Sequence, residues 1–417
     1  MSSDSGAFDA VRRHMAPGLA LGAKMIGRNA VEVRADGAAV QLSDGRELID
    51  FGSYAVTLLG HRHPAVVAAV AAQLERMPTT TRVLANAVVA EFVEDLVRRL
   101  PEPLERVWLG SDGADAVEVA LKLARRQSGR MRVLAAEGGF HGKTLGALDA
   151  TWNPRFREAL EPLLANVTHI DPRERDAVRR AAAAGDVAAL IVEPIQGEAG
   201  VRPVDPEVLR RWADDARAAG AFLISDEIQC GLRRCGPFSP AVDLGLRPDA
   251  VLFAKALGGG IVPLAAVVAT PDLHAPLAHD PTWHTSTFGG NPLACAAGRA
   301  ALAAIDELAA KGERTGERFG RGLRSVAAAH PELAVEVRGA GLLWGLELVT
   351  PGAAGSMLVE LAHAGLLVSP CLSSPQTIRL LPPMVASDDQ VDRALEIVDV
   401  ALDASAEYAD DVEPVPT

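Results

Sequence analysis

Four short apolar runs, separated by segments of helical character, constrain the fold of this chain more than any other feature. They lie at residues 132–136, 188–192, 221–224 and 250–253, and a helical pattern over 206–219 separates the second from the third. Runs that are apolar throughout, rather than alternating, are typical of strands buried on both faces. Strands that alternate with helices indicate a mostly parallel sheet covered by helices on both sides.

The pattern changes on either side of this region, which predicts a division into domains. Residues 1 to about 55 carry short alternating stretches with Asp-Gly turns, and we expect an N-terminal segment, 1–60, that contributes to a small domain. A large domain is expected at 61–320, a C-terminal small α+β domain at 321–405, and an acidic tail at 406–417. Other predicted helices lie at 113–127, 292 to about 310, 355–364 and 390–402, and the predicted late strands at 333–337, 342–348, 366–368 and 377–381.

Composition and charge limit the classes of partner. The 417 residues are 49% hydrophobic and carry a net charge of −13, which argues against nucleic-acid binding. No apolar stretch reaches the roughly 20 residues that cross a bilayer, and the first residues lack the basic and apolar regions of a secretory signal. The four cysteines form neither a CxxC pair nor a Cys/His set, so we expect a cytoplasmic protein with free thiols and no metal.

Polar residues follow the apolar runs where the predicted strands end. Ser111 stands at one such end, and Glu193, Asp226 and Lys255 stand at three others. Because ligands of open α/β sheets bind outside the carboxyl ends of the strands, we expect these side chains to share one site.

Lys255 and Asp226 together suggest a particular cofactor. A lysine amine becomes a nucleophile when a partly desolvated site lowers its pKa, and aldehydes are its natural target. Pyridoxal 5'-phosphate (PLP) is the aldehyde cofactor that needs both a lysine Schiff base and a carboxylate for its pyridinium nitrogen. Taken singly, Lys255 could be a solvated loop residue and Asp226 a helix cap. Gln229 could donate a hydrogen bond to the ring hydroxyl.

Other segments also allow both a structural and a ligand-binding interpretation. The turn at 110–114 could bind a phosphate at a helix N-terminus, although many such turns are glycine-rich. Phe140 could stack on a flat cofactor or belong to the core. The loop at 284–292 could bind phosphate or cap the following helix. Arg379, alone between apolar residues, could form an ion pair or receive a substrate carboxylate.

In chain order, eight segments resemble the class III (ω-amino) aminotransferases, and the resemblance covers about residues 30–405. It implies an α/β protein of PLP-dependent transferase fold type I, with a mostly parallel sheet in a large domain plus a small α+β domain. The matching segments are 60–64, 110–118, 140–143, 193–198, 226–229, 254–260, 286–292 and 378–383.

The resemblance also implies residue roles. Lys255 forms the Schiff base and moves the substrate proton, while Asp226 pairs with the pyridine nitrogen. Thr287 reaches the phosphate of a neighbouring subunit, which implies a homodimer. The remaining cofactor contacts implied are Ser111, Asp112, Gly113, Ala114, Phe140, His141, Glu193 and Gln229. The phosphate loop departs from the family's usual Gly-Thr-Glu-Ala, because Ala114 replaces the Thr, and this puts cofactor affinity in question.

Four residues are implied to bind substrate. Tyr54, Glu198 and Arg379 stand where ornithine-type enzymes accommodate two different substrates, and Glu198 with Arg379 is expected to act as a gate between them. Lys143 replaces the Arg of ornithine and acetylornithine enzymes and resembles the diamine (putrescine-type) enzymes. The expected reaction is ping-pong transfer of a terminal amino group from a diamine or ornithine-like donor to a 2-oxo acid, with 2-oxoglutarate favoured.

Other functions fit the sequence less well. An aminomutase, decarboxylase or racemase on the same fold is the alternative, although a gate for two substrates favours transfer. A PLP-sensing transcription regulator would need a DNA-binding module, for which the short acidic termini leave no room. A nicotinamide-dependent dehydrogenase is disfavoured because no GxGxxG follows a strand.

Overall fold

The computed structural model describes residues 3–405, so the predicted acidic tail at 406–417 lies outside the described residues. The described chain divides into two compact units. The first combines residues up to His63 with those from Ala310 onward, and the second is Pro64–Ala309. The domain limits predicted at 60/61 and 320/321 lie near these boundaries and stay a prediction.

The first unit begins with two helices, α1 (Ser3–His14) and α2 (Pro17–Gly27). The prediction of short alternating stretches is wrong for this part of the chain. Pro17 occupies the first turn of α2, where a missing N–H has no cost, and the Ala and Leu residues that follow favour a helix. Beyond it, three antiparallel strands follow: β1 (Glu32–Asp36), β2 (Ala39–Leu42) and β3 (Glu47–Asp50).

The second unit alternates helices and strands. The four predicted apolar runs form four of its strands, with nearly the predicted bounds. Its elements in chain order are α3 (Pro64–Arg76), α4 (Ala87–Val97), β4 (Arg106–Gly110), α5 (Gly113–Ser128), β5 (Arg132–Ala136), α6 (Leu145–Ala150), α7 (Pro154–Arg157), β6 (Val167–Ile170), α8 (Ala177–Ala181), β7 (Val187–Val192), β8 (Ile195–Gln196), β9 (Arg202–Pro203), α9 (Pro206–Ala218), β10 (Phe222–Asp226), α10 (Pro240–Asp243), β11 (Ala250–Phe253), β12 (Ala265–Ala269), α11 (Pro271–His279) and α12 (Pro292–Glu307).

Within the described part of this unit, one sheet has the strand order β4-β12-β11-β10-β7-β5-β6. The pairings from β11 through β6 are parallel, whereas β12 is antiparallel to both of its neighbours. Alternate strand residues pack on α5 on one face, as Ile191 does, and on α9 on the other, as Leu190 does. This two-sided burial is why the strands are apolar throughout.

The parallel order brings three strand ends together. Ser225 of β10 lies beside Val192 of β7, and Asp226 lies beside Leu252 of β11. The residues that follow these strands, Glu193 and Lys255 among them, therefore emerge at the same edge of the sheet.

The first unit resumes within α13 (Ala309–Ala329), a helix that the sequence analysis missed. The predicted late strands and helices are confirmed. They are β13 (Ala334–Ala340), β14 (Leu343–Leu348), α14 (Pro351–Ala364), β15 (Leu366–Leu367), β16 (Ser369–Cys371), β17 (Ser374–Leu380) and α15 (Asp388–Ser405). An antiparallel sheet has the order β13-β14-β17-β16, and β15 pairs with β3.

Two further features of the described residues concern membrane spans and cysteines. Among residues 3–405, no helix is both long enough and apolar enough to span a bilayer. All four cysteines are free and buried.

Candidate active site

A cavity of about 190 Å³ lies at the carboxyl edge of the large sheet, within the second unit. Eight of the predicted site residues line it. They are Gly113, Ala114, Phe140, His141, Glu193, Asp226, Gln229 and Lys255. Gly142 and Ile228, which the sequence analysis did not single out, complete the lining. Their positions, directly after His141 and two residues after Asp226, were the available signal.

Asp226 ends β10 and is 4% exposed. Its Oδ1 accepts a hydrogen bond from the Ile228 backbone N–H at 3.2 Å, and its Oδ2 accepts one from His141 Nδ1 at 2.7 Å. One oxygen therefore caps the turn after the strand, while the other is paired with an imidazole.

His141 is fully buried behind Asp226. Burial alone would lower the pKa of the imidazole, but the hydrogen bond and charge of Asp226, with the charge of Glu193, outweigh burial and raise the pKa of His141. The ring is thus held toward its cationic form. Its Nε2 is buried and has no hydrogen-bond partner among the described residues.

Glu193 fixes the backbone beside this pair. Its Oε1 accepts a hydrogen bond from the Phe140 N–H at 2.8 Å, and its Oε2 accepts one from the Gly197 N–H at 3.2 Å. Burial and the neighbouring charge of Asp226 raise the pKa of Glu193, although His141 and the two N–H groups oppose the shift. The Glu193 carboxyl therefore anchors the backbone at both Phe140 and Gly197.

Lys255 follows β11 in a short 3₁₀ turn, Lys255–Gly258, and its φ is +46°. A lysine rarely adopts this left-handed conformation, which persists only where the surroundings enforce it and is common at functional sites. The turn is held tightly at its end, because a Cβ on Gly259 would lie 2.8 Å from Val66 Cγ1. The backbone of Lys255, from which the amine extends, is therefore fixed by packing.

The N-terminus of α5 forms another part of the lining through Gly113 and Ala114. A Cβ on Gly113 would lie 2.9 Å from Ile228 Cδ1, so glycine permits this close approach. Asp112 uses its carboxylate to cap α5, accepting from the Asp115 N–H at 3.0 Å. Neither Asp112 nor Ser111 belongs to the described cavity lining. The helix end still offers backbone N–H groups and a positive dipole to an anion.

Phe140 belongs to an aromatic group beside the cavity. Its ring meets the ring of Phe156 edge-to-face with a centroid distance of 6.0 Å. Lys143 Nζ lies 4.3 Å from the centroid of the Phe156 ring, and Lys143 is exposed. The predicted substrate residue Lys143 therefore follows the lining residue Gly142 in the chain and contacts Phe156, but it is not part of the lining.

Two further predicted residues are adjacent to each other. Gln229 Nε2 donates to Glu198 Oε1 at 3.3 Å, and both side chains are buried. A Cβ on Gly197 would lie 2.0 Å from Gln229 Oε1. The glycine at 197 therefore leaves the space that the Gln229 amide occupies.

Three predicted residues lie away from this lining. Thr287 is exposed in the loop before α12, and its carbonyl accepts from Arg82 Nη1 at 3.2 Å. Tyr54 and Arg379 belong to the first unit, where Tyr54 is 73% exposed and Arg379, in β17, is 1% exposed. Their roles toward substrate stay predictions.

Metal chemistry has no candidate centre in the described part of the chain. Within residues 3–405, no group of three or more His, Cys, Asp and Glu side chains is arranged to hold a metal ion.

A lysine and a buried carboxylate at neighbouring strand ends, with an aromatic ring and a helix N-terminus beside them, define the site of a PLP-dependent enzyme. The family model for class-III aminotransferases matches residues 23–402. The chain belongs to this family, whose members are PLP-dependent aminotransferases of fold type I.

Relatives and solved structures agree with this assignment. The chain is 39% identical over 386 residues to the putrescine aminotransferase of Pectobacterium atrosepticum, covering 88% of this chain and 81% of the relative. It is 40% identical over 374 residues to the acetylornithine aminotransferase of Methanopyrus kandleri, covering 89% and 94%. The ornithine aminotransferase structure from Toxoplasma gondii superposes with a TM-score of 0.89 at 30% identity, covering 98% and 97%.

The residues of the cavity fit PLP. A carboxylate hydrogen-bonded to an imidazole of raised pKa suits a protonated ring nitrogen, and the α5 N-terminus suits a phosphate. At Gly113 and Gly142 the backbone itself lines the cavity, because neither residue has a side chain. A Cβ on Gly142 would lie 2.7 Å from Ala114 Cβ. A lysine amine, which such an aldehyde requires, is present in the lining at Lys255.

Proposed function

We propose that this enzyme transfers the terminal amino group of a diamine or ornithine-like donor to a 2-oxo acid, with 2-oxoglutarate as the acceptor, by a ping-pong mechanism. The observation that carries the proposal is the meeting of Lys255, Asp226 and Phe140 around one cavity. The relatives that act on putrescine and acetylornithine support a donor with a terminal amine.

PLP, when bound, supplies an aldehyde for the amine and a pyridinium ring that takes up the electron pair of the substrate carbon. Lys255 would hold the cofactor, and its amine would carry the proton to and from the substrate carbon. Asp226 would pair with the ring nitrogen and favour its protonated form. His141 supports Asp226, because its imidazole, whose pKa is raised, lies 2.7 Å from the buried carboxylate.

The other lining residues position the cofactor. Phe140 would stack on the ring, and its backbone is fixed by Glu193. Gln229 would donate to the ring hydroxyl, and its amide is held by Glu198. The N–H groups of Gly113 and Ala114, at the start of α5, would hold the phosphate without the threonine hydroxyl of the family loop.

The substrate residues fit two unlike substrates. The guanidinium fork of Arg379 suits the carboxylate of the 2-oxo acid, since bidentate pairing is its preferred geometry. Lys143 occupies the place of a carboxylate-binding Arg and lies on Phe156, which supports a donor without an α-carboxylate. We further propose a cytoplasmic homodimer in which Thr287 completes the neighbouring subunit's site, and the free cysteines favour that compartment.

The first experiment tests the cofactor link. The purified enzyme should absorb visible light, and borohydride should attach the cofactor permanently to the peptide that contains Lys255. Lys143→Ala should keep the label on that peptide, whereas Lys255→Ala should lose it. A label on another lysine would contradict the assignment.

A second experiment tests the reaction. With 2-oxoglutarate present, putrescine, ornithine and N-acetylornithine are compared as donors, and glutamate is measured as the product. The proposal expects glutamate to form from a terminal amine. An amino group that moves within one molecule without a 2-oxo acid would favour the aminomutase alternative instead.

A further inference from the structure

The segment between β5 and α6 carries two residues of the cavity lining without forming a helix or a strand. It comprises residues 137–144, and Phe140 and His141 lie within it. Buried backbone N–H and C=O groups need hydrogen-bond partners, and here no helix or sheet supplies them. The partners that the segment does have therefore determine where the two lining residues stand.

The first half of this segment is held by groups from elsewhere in the second unit. Gln196 Nε2 donates to the Glu137 carbonyl at 2.8 Å, and the Trp152 N–H donates to the Gly139 carbonyl at 2.9 Å. Glu193 accepts from the next N–H along the chain. Because Gln196 and Glu193 are both buried, these contacts are shielded from water, and the path of the backbone up to residue 140 is fixed.

The hydroxyl of Thr151 holds the second half. Thr151 directly follows α6 and is fully buried, and its Oγ1 accepts from the His141 N–H at 2.9 Å. The same hydroxyl donates to the Gly142 carbonyl, also at 2.9 Å. The Ala147 carbonyl lies within reach at 3.1 Å, but it already accepts from the Thr151 N–H at 3.0 Å. We call the two hydrogen bonds from Oγ1 to His141 and Gly142 the Thr151 clamp.

The orientation of the His141 ring depends on this clamp. Its Nδ1 lies 2.7 Å from Asp226 Oδ2, whereas its Nε2 has no hydrogen-bond partner among the described residues. The ring is therefore placed by one hydrogen bond and by the backbone from which it extends. That backbone stands close against α5, because a Cβ on Gly142 would lie 2.7 Å from Ala114 Cβ.

We propose that Thr151 is a positioning residue: its buried hydroxyl fixes the peptide groups of His141 and Gly142 and so holds the imidazole against the Asp226 carboxylate. This rests on the proposed function, under which Asp226 pairs with the ring nitrogen of the cofactor. Thr151 is not part of the cavity lining and acts through His141.

The hydrogen bond between His141 and Asp226 can be observed directly in the PLP-loaded enzyme. A buried imidazole N–H that donates to a carboxylate gives a proton NMR signal downfield of the amide protons, and His141→Gln assigns the signal by removing it. Thr151→Val keeps the shape of the side chain but can neither accept from His141 nor donate to Gly142. Its His141 signal should therefore move upfield or be lost to exchange with water.

Kinetics provide the second readout. Because Asp226 acts on the chemical step, Thr151→Val should lower kcat roughly 10-fold, with little change in KM for either substrate. Thr151→Ser keeps the hydroxyl and should retain the NMR signal and most of kcat.

The matched control is Thr270→Val. Thr270 is 8% exposed, its Oγ1 accepts from the Leu273 N–H at 3.3 Å, and it is not part of the cavity lining. Loss of this hydroxyl should lower the thermal unfolding midpoint without altering the His141 signal or kcat.

The outcomes separate a positioning role from a purely structural one. If Thr151→Val does not fold, Thr151→Cys, whose thiol is a weak hydrogen-bond partner, decides the matter with the same two readouts. An unchanged signal or an unchanged kcat in the folded variant, or equal changes in Thr270→Val, would overturn the positioning role. A wild type that transfers no amine would instead overturn the proposed function, while the His141 signal still tests the clamp.

Discussion

A single imidazole, that of His141, balances the charge of the buried Asp226 carboxylate in the cavity lining. A buried carboxylate is costly unless it is paired, and His141 at 2.7 Å provides the pairing for Asp226. The same charges raise the pKa of His141 against the effect of burial. Glu193, whose pKa burial raises, holds the backbone of Phe140. The three side chains line one cavity, and under the proposed function they would support a cationic ring.

Asp226→Asn tests this unit. Asn cannot hold the ring nitrogen as a cation, so the electron sink is lost when the substrate carbon loses its proton. We expect turnover to fall by a factor on the order of 10² to 10³ while PLP stays bound, measured by steady-state rates and the visible spectrum. Asp214→Asn, at a carboxylate that is 74% exposed, is the control. Near-wild-type turnover in an Asp226→Asn enzyme that binds PLP would refute the role.

Glu227, next in the chain, gives a prediction about stability. It is 1% exposed, and its Oε1 accepts from Ser239 Oγ at 2.8 Å and the Ala241 N–H at 2.9 Å. Burial raises its pKa to about 8. Below pH 4.5, its ordinary value, both folded and unfolded chains hold the proton. As pH rises toward 8, only the unfolded chain releases it, so stability is lost across this range.

Glu227→Gln should remove this loss. The amide keeps an oxygen acceptor but does not titrate, so the variant should match the wild type near pH 5 and be more stable at pH 8. A pKa shift of this size corresponds to a change in the free energy of unfolding on the order of 3 to 5 kcal/mol. Unfolding midpoints of the loaded enzyme at both pH values measure it, with Glu207→Gln, 65% exposed, as the control. Equal midpoints at pH 8 would contradict the burial argument.

At the scale of elements, the apolar runs of the sequence predicted β5, β7, β10 and β11. They did not predict β12, which follows β11 without a connecting α-helix. β12 is buried at all five positions but runs antiparallel between β11 and β4. A parallel strand normally follows its neighbour after a connecting helix. Between β11 and β12 there is only the short turn around Lys255 and the residues up to Leu264, so β12 can run antiparallel to β11. The run of β12 is apolar throughout like the others, but no α-helix separates it from β11, so the alternation of strands and helices did not point to it.

The candidate site was predictable for a related reason. Glu193, Asp226 and Lys255 could be identified because each follows an apolar run, and the parallel order places those ends together. Ile228 and Gly142 offer no reactive group, so their sequence positions close to Asp226 and His141 were the only signal for them. The pairing of His141 with Asp226, 85 positions apart, likewise depends on the fold.

The turn between β8 and β9 gives a prediction at this scale. Gly197→Ala would place a Cβ 2.0 Å from Gln229 Oε1, so the Gln229 amide must leave its place beside Glu198. We expect weaker PLP binding and a shifted visible spectrum, measured by cofactor titration of the apoenzyme. Gly355→Ala is the control, since a Cβ there meets nothing within 4 Å. Unaltered PLP affinity in Gly197→Ala would show that Gln229 does not contribute.

At the scale of the whole molecule, exposed apolar side chains near the Thr287 loop favour an interface with a second copy. Val83 is 88% exposed, Leu84 74% and Phe288 63%. Arg82 connects the two segments, because its guanidinium donates to the carbonyls of Ser286 and Thr287. Large apolar side chains grouped in this way are typical of protein–protein contact, and their burial would fix the loop that carries Thr287.

Subunit mixing tests this arrangement. If Thr287 serves the neighbouring site, a heterodimer of Lys255→Ala and Thr287→Ala subunits contains one doubly damaged site and one intact site. Co-expressed subunits should therefore be more active than the mean of the two parent enzymes. Lys255→Ala mixed with Asp226→Asn is the matched control and should stay inactive, because both residues line the cavity of one subunit and every site is damaged. A fully active monomer in sedimentation would exclude the shared site, since each chain would then complete its own phosphate contact.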